Sequence, residues 1–459
     1  MGYSEILCHL CGVSFNICRS RTENEPPEAA WGSSMNFVIE EDPDESRCEK
    51  KCFIVQTGAD LQSATRMYGG EALHSHIPED ELEHIPGPKC TQNGGYSGHH
   101  ISVEAMKGCQ EIQCLIPKPD DWEPQTDDEA FEISSSYFLS GLSDYMPSRD
   151  IGDPELFPAR HGESSPYAEN VLWDPEEAGK YSMPFHPTCF EIFKRASLRR
   201  QGVVDVEGMI QWWRLEGNYE DYHGFPRDLA VRYAAQQWWE HNVGDEYLVA
   251  NPCFVPGLES LLQSSGQKTD SQNGDSELAH IMTTGTANDD PFARLPAEIK
   301  HAILVELSFK DIASLKLVSR AFQHLPNSVL YEVTVRDTPW LYEAWSSLPI
   351  SFWATTTKEA MVKKWDDDTE AFNRSAHPAV PVRQLSRTGT DWLRLHAEIF
   401  RNRKSLIGLQ NRRRIWKDCE EILDRIEKYR KEGKIVPLGC PAPAIPRHAN
   451  SDSDDSDNE

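Results

Sequence analysis

Long apolar runs are missing from this chain of 459 residues, and no stretch approaches the length that crosses a bilayer. The opening residues, Met1 to Gly12, lack the basic region and long apolar core of a secretory signal. Gly2 is followed by Ile6, where a myristoylation motif needs Ser or Thr. We therefore expect a soluble cytoplasmic or nuclear protein without a membrane partner. Positive charge is scarce too. Against 74 Asp and Glu stand 46 Lys and Arg, a formal charge of -28 whose summed field repels phosphates, so nucleic acid is not an expected partner. Cysteine is thin: 12 in so long a chain make no dense secreted-type framework, and we expect thiols, with metal binding open at one or two clusters. The glycine-rich stretch Asn93 to His100 lacks the Lys-Ser or Lys-Thr pair of a phosphate cradle and fails G-x-S-x-G. No nucleophile, base and orienter occur in a known order, so no enzymatic activity is expected. No regular repeat period is present either, which argues against leucine-rich repeats and propellers.

What is there indicates two or three domains, since 39% hydrophobic content with 13 Trp supports real cores. The fold class expected is α+β: a mixed domain over residues 1–262, a flexible linker over 263–290, a helical hairpin over 291–333, a mainly helical region over 334–440 and a disordered acidic tail over 441–459. Residues 1–130 carry 24 acidic against 9 basic residues, concentrated in runs that read as solvated loops. Between them, Asn36 to Glu40 and Cys52 to Gln56 read as strands. Cys8-His9-Leu10-Cys11-Gly12 has the shape of a zinc knuckle, in which a tight turn aims backbone amides at both thiolates. A four-ligand site needs a second pair. Cys48 with Cys52, or Cys109 with Cys114, are candidates without the ideal spacing, and Cys18, His74 and His76 compete. Structural zinc at Cys8 and Cys11 therefore stays open beside small buried thiols.

From Met183 a turn leads into an amphipathic helix, with Cys189, Ile192 and Phe193 inward and Lys194, Arg195, Arg199 and Arg200 mostly outward. His186 and Cys189 have ligand-like spacing, but a capped helix that packs its cysteine inward is the simpler account. The pairs Trp212-Trp213 and Trp238-Trp239 cannot each face one side of a single helix, so one of each pair is free to cover a neighbouring element or a partner, with core packing the simpler account. Further on, Glu332 to Arg336 reads as a brief strand, and Trp340 to Trp345 as an aromatic helix start. Residues 415–432 read as a long helix with Ile415, Cys419, Ile422 and Ile426 on its inner face. The basic cluster Arg412 to Arg414 invites a nucleic-acid or import reading, but a charged outer face paired with the acidic N-terminal domain is simpler.

The hairpin, Pro291 to Tyr331, is the most specific stretch. Leu295-Pro296 places proline at a helix start, where its missing N–H costs nothing. Ile299, Ala302, Ile303 and Leu307 then recur at helical spacing. Ser308 and Asp311 make an S-x-x-D cap for a second helix striped by Ile312, Leu315, Val318 and Phe322, and Pro326 discourages its continuation. The order Leu295-Pro296, Ile303-Leu304, Asp311-Ile312 and Leu317-Val318-Ser319-Arg320-Ala321-Phe322 closely resembles the F-box. Ser319 stands where many members carry Cys, a small residue for a small one. The phrases CHLCGVSFNI, GYSG and NRRRIWK add a looser resemblance to large F-box-like proteins of filamentous fungi.

The resemblance implies docking on a Skp-type adaptor and, through it, a cullin in a cullin-RING ubiquitin ligase, with the rest of the chain holding a protein substrate not identifiable from sequence. It places Leu295, Pro296, Ile299, Ile303 and Leu304 near the adaptor, and shares Ile312, Leu315, Leu317 and Val318 between adaptor and hairpin core. No cofactor is implied. Two alternatives remain: an adaptor-binding scaffold outside a ligase, and an N-terminal enzyme or metal-dependent domain with His74, His76, His99 and His100 as its working residues.

Overall fold

The computed structural model describes residues 6–32, 52–56, 65–66, 82–90, 94–144, 158, 160, 183–216, 226–235, 239–265, 290–323, 325–374 and 377–440. The strand expected at Asn36 to Glu40, most of the linker expected over 263–290, and the acidic tail lie outside them. The described strands are β1 (Arg19–Ser20), β2 (Phe53–Gln56), β3 (Thr65–Arg66), β4 (Leu82–Ile85), β5 (Tyr96–Ser97), β6 (Gln113–Pro117), β7 (Tyr137–Leu139) and β8 (Met183–Phe185). The described helices of eight residues or more are α1 (Pro187–Gln201), α2 (Val206–Glu216), α3 (Leu258–Ser265), α4 (Ala297–Glu306), α5 (Phe309–Val318), α6 (Asn327–Asp337), α7 (Lys358–Asp367), α8 (Trp392–Arg401) and α9 (Ile407–Lys431). The fold is α+β, mixed in its N-terminal half and mainly helical beyond.

Two compact units interleave in sequence: residues 1–250, 353–378 and 414–459 form the first, and residues 251–352 with 379–413 the second. The region 334–440 is thus divided between them, and α3 groups with the hairpin-containing unit. Helix α9 contributes residues up to Arg413 to the second unit and those from Arg414 to the first.

In the first unit β6 lies between β7 and β8, antiparallel to both, with Leu115 opposite Leu139 and Met183. Buried on the sheet, β8 runs directly into α1, where Pro187 occupies the first helical turn and Gly202 ends the helix at φ 76. Phe185, Phe190 and Phe193 stack along this junction. Lys194 and Arg195, expected outside, are buried instead. Their charges are met by Glu191, at 2.9 and 2.8 Å, and by Glu129 at 2.6 Å from Lys194, so the helix can be covered on its charged side. Arg199 and Arg200 are exposed as expected.

Both Trp212 and Trp213 are buried, because α2 is covered on more than one side. Trp213 meets the His9 ring at 5.5 Å, and a Cβ on Gly208 would lie 2.7 Å from Ile426 of α9. The inner face expected on α9 is real: Ile415, Cys419, Ile422 and Ile426 are all buried, joined by Leu423. Each large aliphatic side chain buried in this way stabilises the unit by about 2 kcal/mol. The outer face of α9 bonds back through Arg425 to Glu216 at 2.9 Å and through Arg430 to Asp205 at 2.7 Å.

The second unit has two cores. Leu258, Leu262, Leu330, Leu341, Trp392, Leu395 and Leu409 form one, and Leu304, Ile312, Phe322, Val329 and Val333 form the other. The strand expected at Glu332 to Arg336 is the end of helix α6. The β-branched Val333 and Thr334 suggested a strand, but Pro326 starts a new helix at Asn327, and the spacing of Val329, Leu330 and Val333 then aims three side chains into the cores. Packing overrides local propensity here. The aromatic stretch after Pro339 forms only one 3-10 turn, Tyr342–Ala344.

Arg412 does not belong to a surface cluster. Fully buried, it bonds both Glu343 oxygens at 2.9 Å, donates to the Pro252 carbonyl at 2.6 Å and sits 4.2 Å from the Tyr342 ring centroid. Arg414 is buried in the first unit, and of the three only Arg413 is exposed. A run of three arginines on one helix points in different directions, and two of them fill cores.

Candidate functional site

Two places concentrate chemistry that the fold alone does not require. The first is the helical hairpin. Asp290 ties its beginning to its end: the carboxylate accepts from the Phe292 amide at 3.0 Å, the Ser319 hydroxyl at 2.8 Å and the Ala321 amide at 3.2 Å. The Ser319 bond leads the causes that hold the Asp290 carboxyl below its ordinary range. Ser319, the departure from the family pattern, therefore has work that a thiol would do more weakly, since its oxygen also caps the following turn. Ser308 accepts from the Asp311 amide at 3.2 Å and donates to its carboxylate at 2.6 Å, as the S-x-x-D spacing predicts. Phe292 meets Phe322 edge-on at 5.3 Å and closes the small core.

The nominated hairpin residues divide by exposure. Leu304 and Ile312 are buried in the core, and half-buried Leu315 is packed against it. Leu295 and Ile303 are half-buried, while Pro296 is exposed. Ile299 is 48% exposed, Val318 78% and Leu317 89%. Two adjacent large aliphatic side chains left almost wholly in water at the end of α5 contribute nothing to the hairpin core.

The second place lies in the first unit. Residues 7–14 form a tight hairpin in which the Cys8 amide donates to Val13 and the Gly12 amide to Cys8, at 2.9 and 2.7 Å. Gly12 holds φ at 74, and a Cβ there would come within 2.9 Å of Arg227 and Val231, so only glycine fits. This turn brings Cys8 and Cys11 to the β8–α1 junction, where His186 and Cys189 stand. Each of the four offers one ligand atom, and these atoms lie within 4.8 Å of one another, all buried. His186 Nδ1 is 3.5 Å from Cys11 Sγ and 3.8 Å from Cys189 Sγ, and the His186 amide donates to Cys8 Sγ at 3.4 Å. The imidazole caps nothing in α1. It packs on Phe15 at 4.6 Å, and its Nε2 has no hydrogen-bond partner among the described residues.

The protons of this group are tightly shared. Burial raises the Cys11 thiol, but bonds with Cys189 and Cys8 and the charge of His186 outweigh it and hold its pKa well below the ordinary thiol value. Burial likewise disfavours the His186 imidazolium, yet the Cys8 and Cys11 sulfurs raise its pKa to about 10. Arg227 donates to the Leu10 and His9 carbonyls at 2.9 and 2.8 Å, and Arg414 donates to the Cys11 carbonyl at 2.7 Å. Asp418 lies 3.4 and 3.3 Å from these two guanidinium groups.

The two residues that stand beside Cys8 and Cys11 are thus His186 and Cys189; Cys189 packs inward as expected, while the His186 side chain makes no cap bond. Cys109 and Cys114 take no part in this group; Cys114 lies in β6. The backbone amide of buried Cys18 donates to His241 Nε2 at 2.9 Å, and Cys18 is not in this group either. Cys52 joins a different trio, with His84 and Cys90. His84 pairs across β2–β4 with Ile54, Cys90 Sγ is 3.8 Å from His84 Nε2, and the Gly87 amide donates to Cys52 Sγ at 3.2 Å. His99 donates to the Pro86 carbonyl at 3.2 Å, and neither it nor His100 enters either group. Cys48, His74 and His76 lie outside the described residues.

Residues 292–332 match the family model of the F-box domain. The chain therefore carries an F-box domain, which occupies under a tenth of its length. This match supports a role in docking to a Skp-type adaptor of a cullin-RING ligase. Over 60 residues the chain is also 43% identical to the ATP-dependent RNA helicase mss116, mitochondrial, of Aspergillus oryzae (strain ATCC 42149 / RIB 40), covering 13% of this chain and 10% of that protein. The chain spans about a tenth of the length of that curated relative, and so short a likeness does not transfer its activity. No solved structure matches.

Proposed function

We propose that this protein is the substrate-recognition subunit of a cullin-RING ubiquitin ligase. It docks on a Skp-type adaptor through residues 291–333 and presents a protein substrate by way of its other regions. The observation that carries the reading is the exposure of Leu317, Val318 and Ile299 on a hairpin that matches the F-box model. Large aliphatic groups that leave their own core for water are the anchors of helix-in-groove interfaces, where a few buried apolar contacts carry most of the affinity. The F-box resemblance adds Leu295, Pro296 and Ile303 to the adaptor contacts, while Leu304, Ile312 and Leu315 hold the helices together. The chain supplies no chemistry of its own, and ubiquitin transfer belongs to other subunits. Work in the cytoplasm or nucleus fits this role. The looser likeness in CHLCGVSFNI, GYSG and NRRRIWK favours a fungal branch of such receptors.

Affinity purification of the full-length protein tests the assignment. Adaptor and cullin are expected together in the eluate, and both are expected to vanish with Leu317→Asp, Val318→Asp. Adaptor without cullin would support a scaffold outside a ligase, and neither protein would contradict the reading.

A further inference from the structure

Apart from adaptor docking, we infer that Cys8 Sγ, Cys11 Sγ, Cys189 Sγ and His186 Nδ1 form a closed tetrahedral site for a structural zinc ion that fastens the N-terminal knuckle to the β8–α1 junction. Three observations meet here. The donor set is three sulfurs and one imidazole nitrogen from two C-x-x-C-like pairs, Cys8 with Cys11 and His186 with Cys189, all buried and all free of disulfides. That composition and the absence of a fifth donor in the group fit a structural site, whereas a catalytic one keeps a position open.

Geometry gives the second argument. Zinc with Zn–S bonds of about 2.3 Å and a Zn–N bond of about 2.0 Å has tetrahedral S–N edges of about 3.5 Å and S–S edges of about 3.8 Å. Two of the three S–N separations here are 3.5 and 3.8 Å, and no pair of ligand atoms exceeds 4.8 Å. The His186 amide donates to Cys8 Sγ at 3.4 Å, the outer support that orients metal ligands.

Charge gives the third. Arg227 and Arg414 bring two buried guanidinium groups to the knuckle carbonyls, 3.4 and 3.3 Å from the Asp418 carboxylate. A zinc ion held by three thiolates and a neutral imidazole carries one negative unit, a sign that guanidinium groups beside the knuckle favour. The ion also joins residues 175 positions apart, so binding closes a long loop and acts as folding free energy.

The test uses full-length protein purified without chelator, dialysed, and measured for zinc and iron by plasma mass spectrometry. The parent is expected to carry zinc, and Cys11→Ser and His186→Ala each to lose one equivalent per chain. His186→Cys keeps it, because a fourth thiolate completes the same tetrahedron. A readout that needs no disruptive variant accompanies it: exchange of the parent with Co2+ gives the visible absorption of a tetrahedral thiolate site, and Cys11→Ser reduces it by one equivalent. Zinc held by Cys52, His84 and Cys90 would survive these changes, so the loss reports on this site alone. A parent that holds no zinc and takes up no cobalt overturns the inference, as does a zinc content that Cys11→Ser and His186→Ala leave unchanged.

Discussion

The hairpin and the cysteine and histidine group teach opposite lessons about how a chain encodes a site. Every residue the hairpin uses lies within about forty positions, from Asp290 to Val333, and its order reads directly as two helices with a cap between them. The group at Cys8, Cys11, His186 and Cys189 is no larger in space, yet its halves are 175 residues apart and neither half is complete. One site is apolar, exposed and unfinished until a partner arrives. The other is polar and buried, its four donor atoms already within 4.8 Å of one another. Local order specifies a surface; only the fold assembles a ligand set.

That contrast breaks most visibly under metal removal. Stripping zinc with a strong chelator is expected to unfold much of the first unit, since structural zinc contributes on the order of 10 kcal/mol in small zinc-dependent folds. Limited proteolysis would then cut within residues 1–250 first and leave the hairpin helices for last. Equal sensitivity of both units would erase the difference drawn here.

Next in size is Arg412→Ala. Removing the guanidinium leaves Glu343 charged and buried, at a cost of about 3–5 kcal/mol. Denaturant unfolding should show that loss, whereas a surface basic patch of the kind the sequence suggests would show none. The effect sharpens the comparison, because it separates arginines used as core from those used as surface.

A third test concerns pH. Burial raises the Glu111 carboxyl from its ordinary 4.5 to about 8, against the opposing Lys358 amide bond at 2.9 Å. A raised folded-state pKa stabilises the fold fully below the unfolded value, and the stabilisation fades as pH rises from about 4.5 through about 8. The parent is therefore expected to lose stability across that window, and Glu111→Gln to flatten the profile. An identical slope in both proteins would refute the assignment to Glu111.

The smallest effect belongs to Ser319. Ser319→Ala removes one bond to Asp290 and one cap, for about 1 kcal/mol. Ser319→Cys, which restores the residue common in the family, should recover part of it. A thermal scan that ranks Cys below Ala would show that the serine oxygen is not what matters.

Much of the hairpin was legible because proline, serine and aspartate act on their nearest neighbours: Pro296, Ser308 with Asp311, and Pro326 each mark a boundary that the structure keeps. The long C-terminal helix was legible from the spacing of Ile415, Cys419, Ile422 and Ile426. Burial that depends on distant partners was not. Lys194 and Arg195 look like surface until Glu129 and Glu191 are beside them, and Val333 looks like strand until α6 is packed into two cores. Cys8 and Cys11 announced half a metal site. The other half carried a signal, the ligand-like spacing of His186 and Cys189, but nothing in the linear order brings residue 186 to residue 11. Three strands and a turn had to do so.

Adaptor docking through the hairpin is tested directly by calorimetric titration of full-length protein with a purified Skp-type adaptor. The parent should bind, and Leu317→Asp, Val318→Asp should weaken binding at least about 30-fold, the value of a single 2 kcal/mol anchor, with an unchanged unfolding midpoint because neither side chain belongs to a core. No binding by the parent, or equal affinity in the double variant, would contradict it.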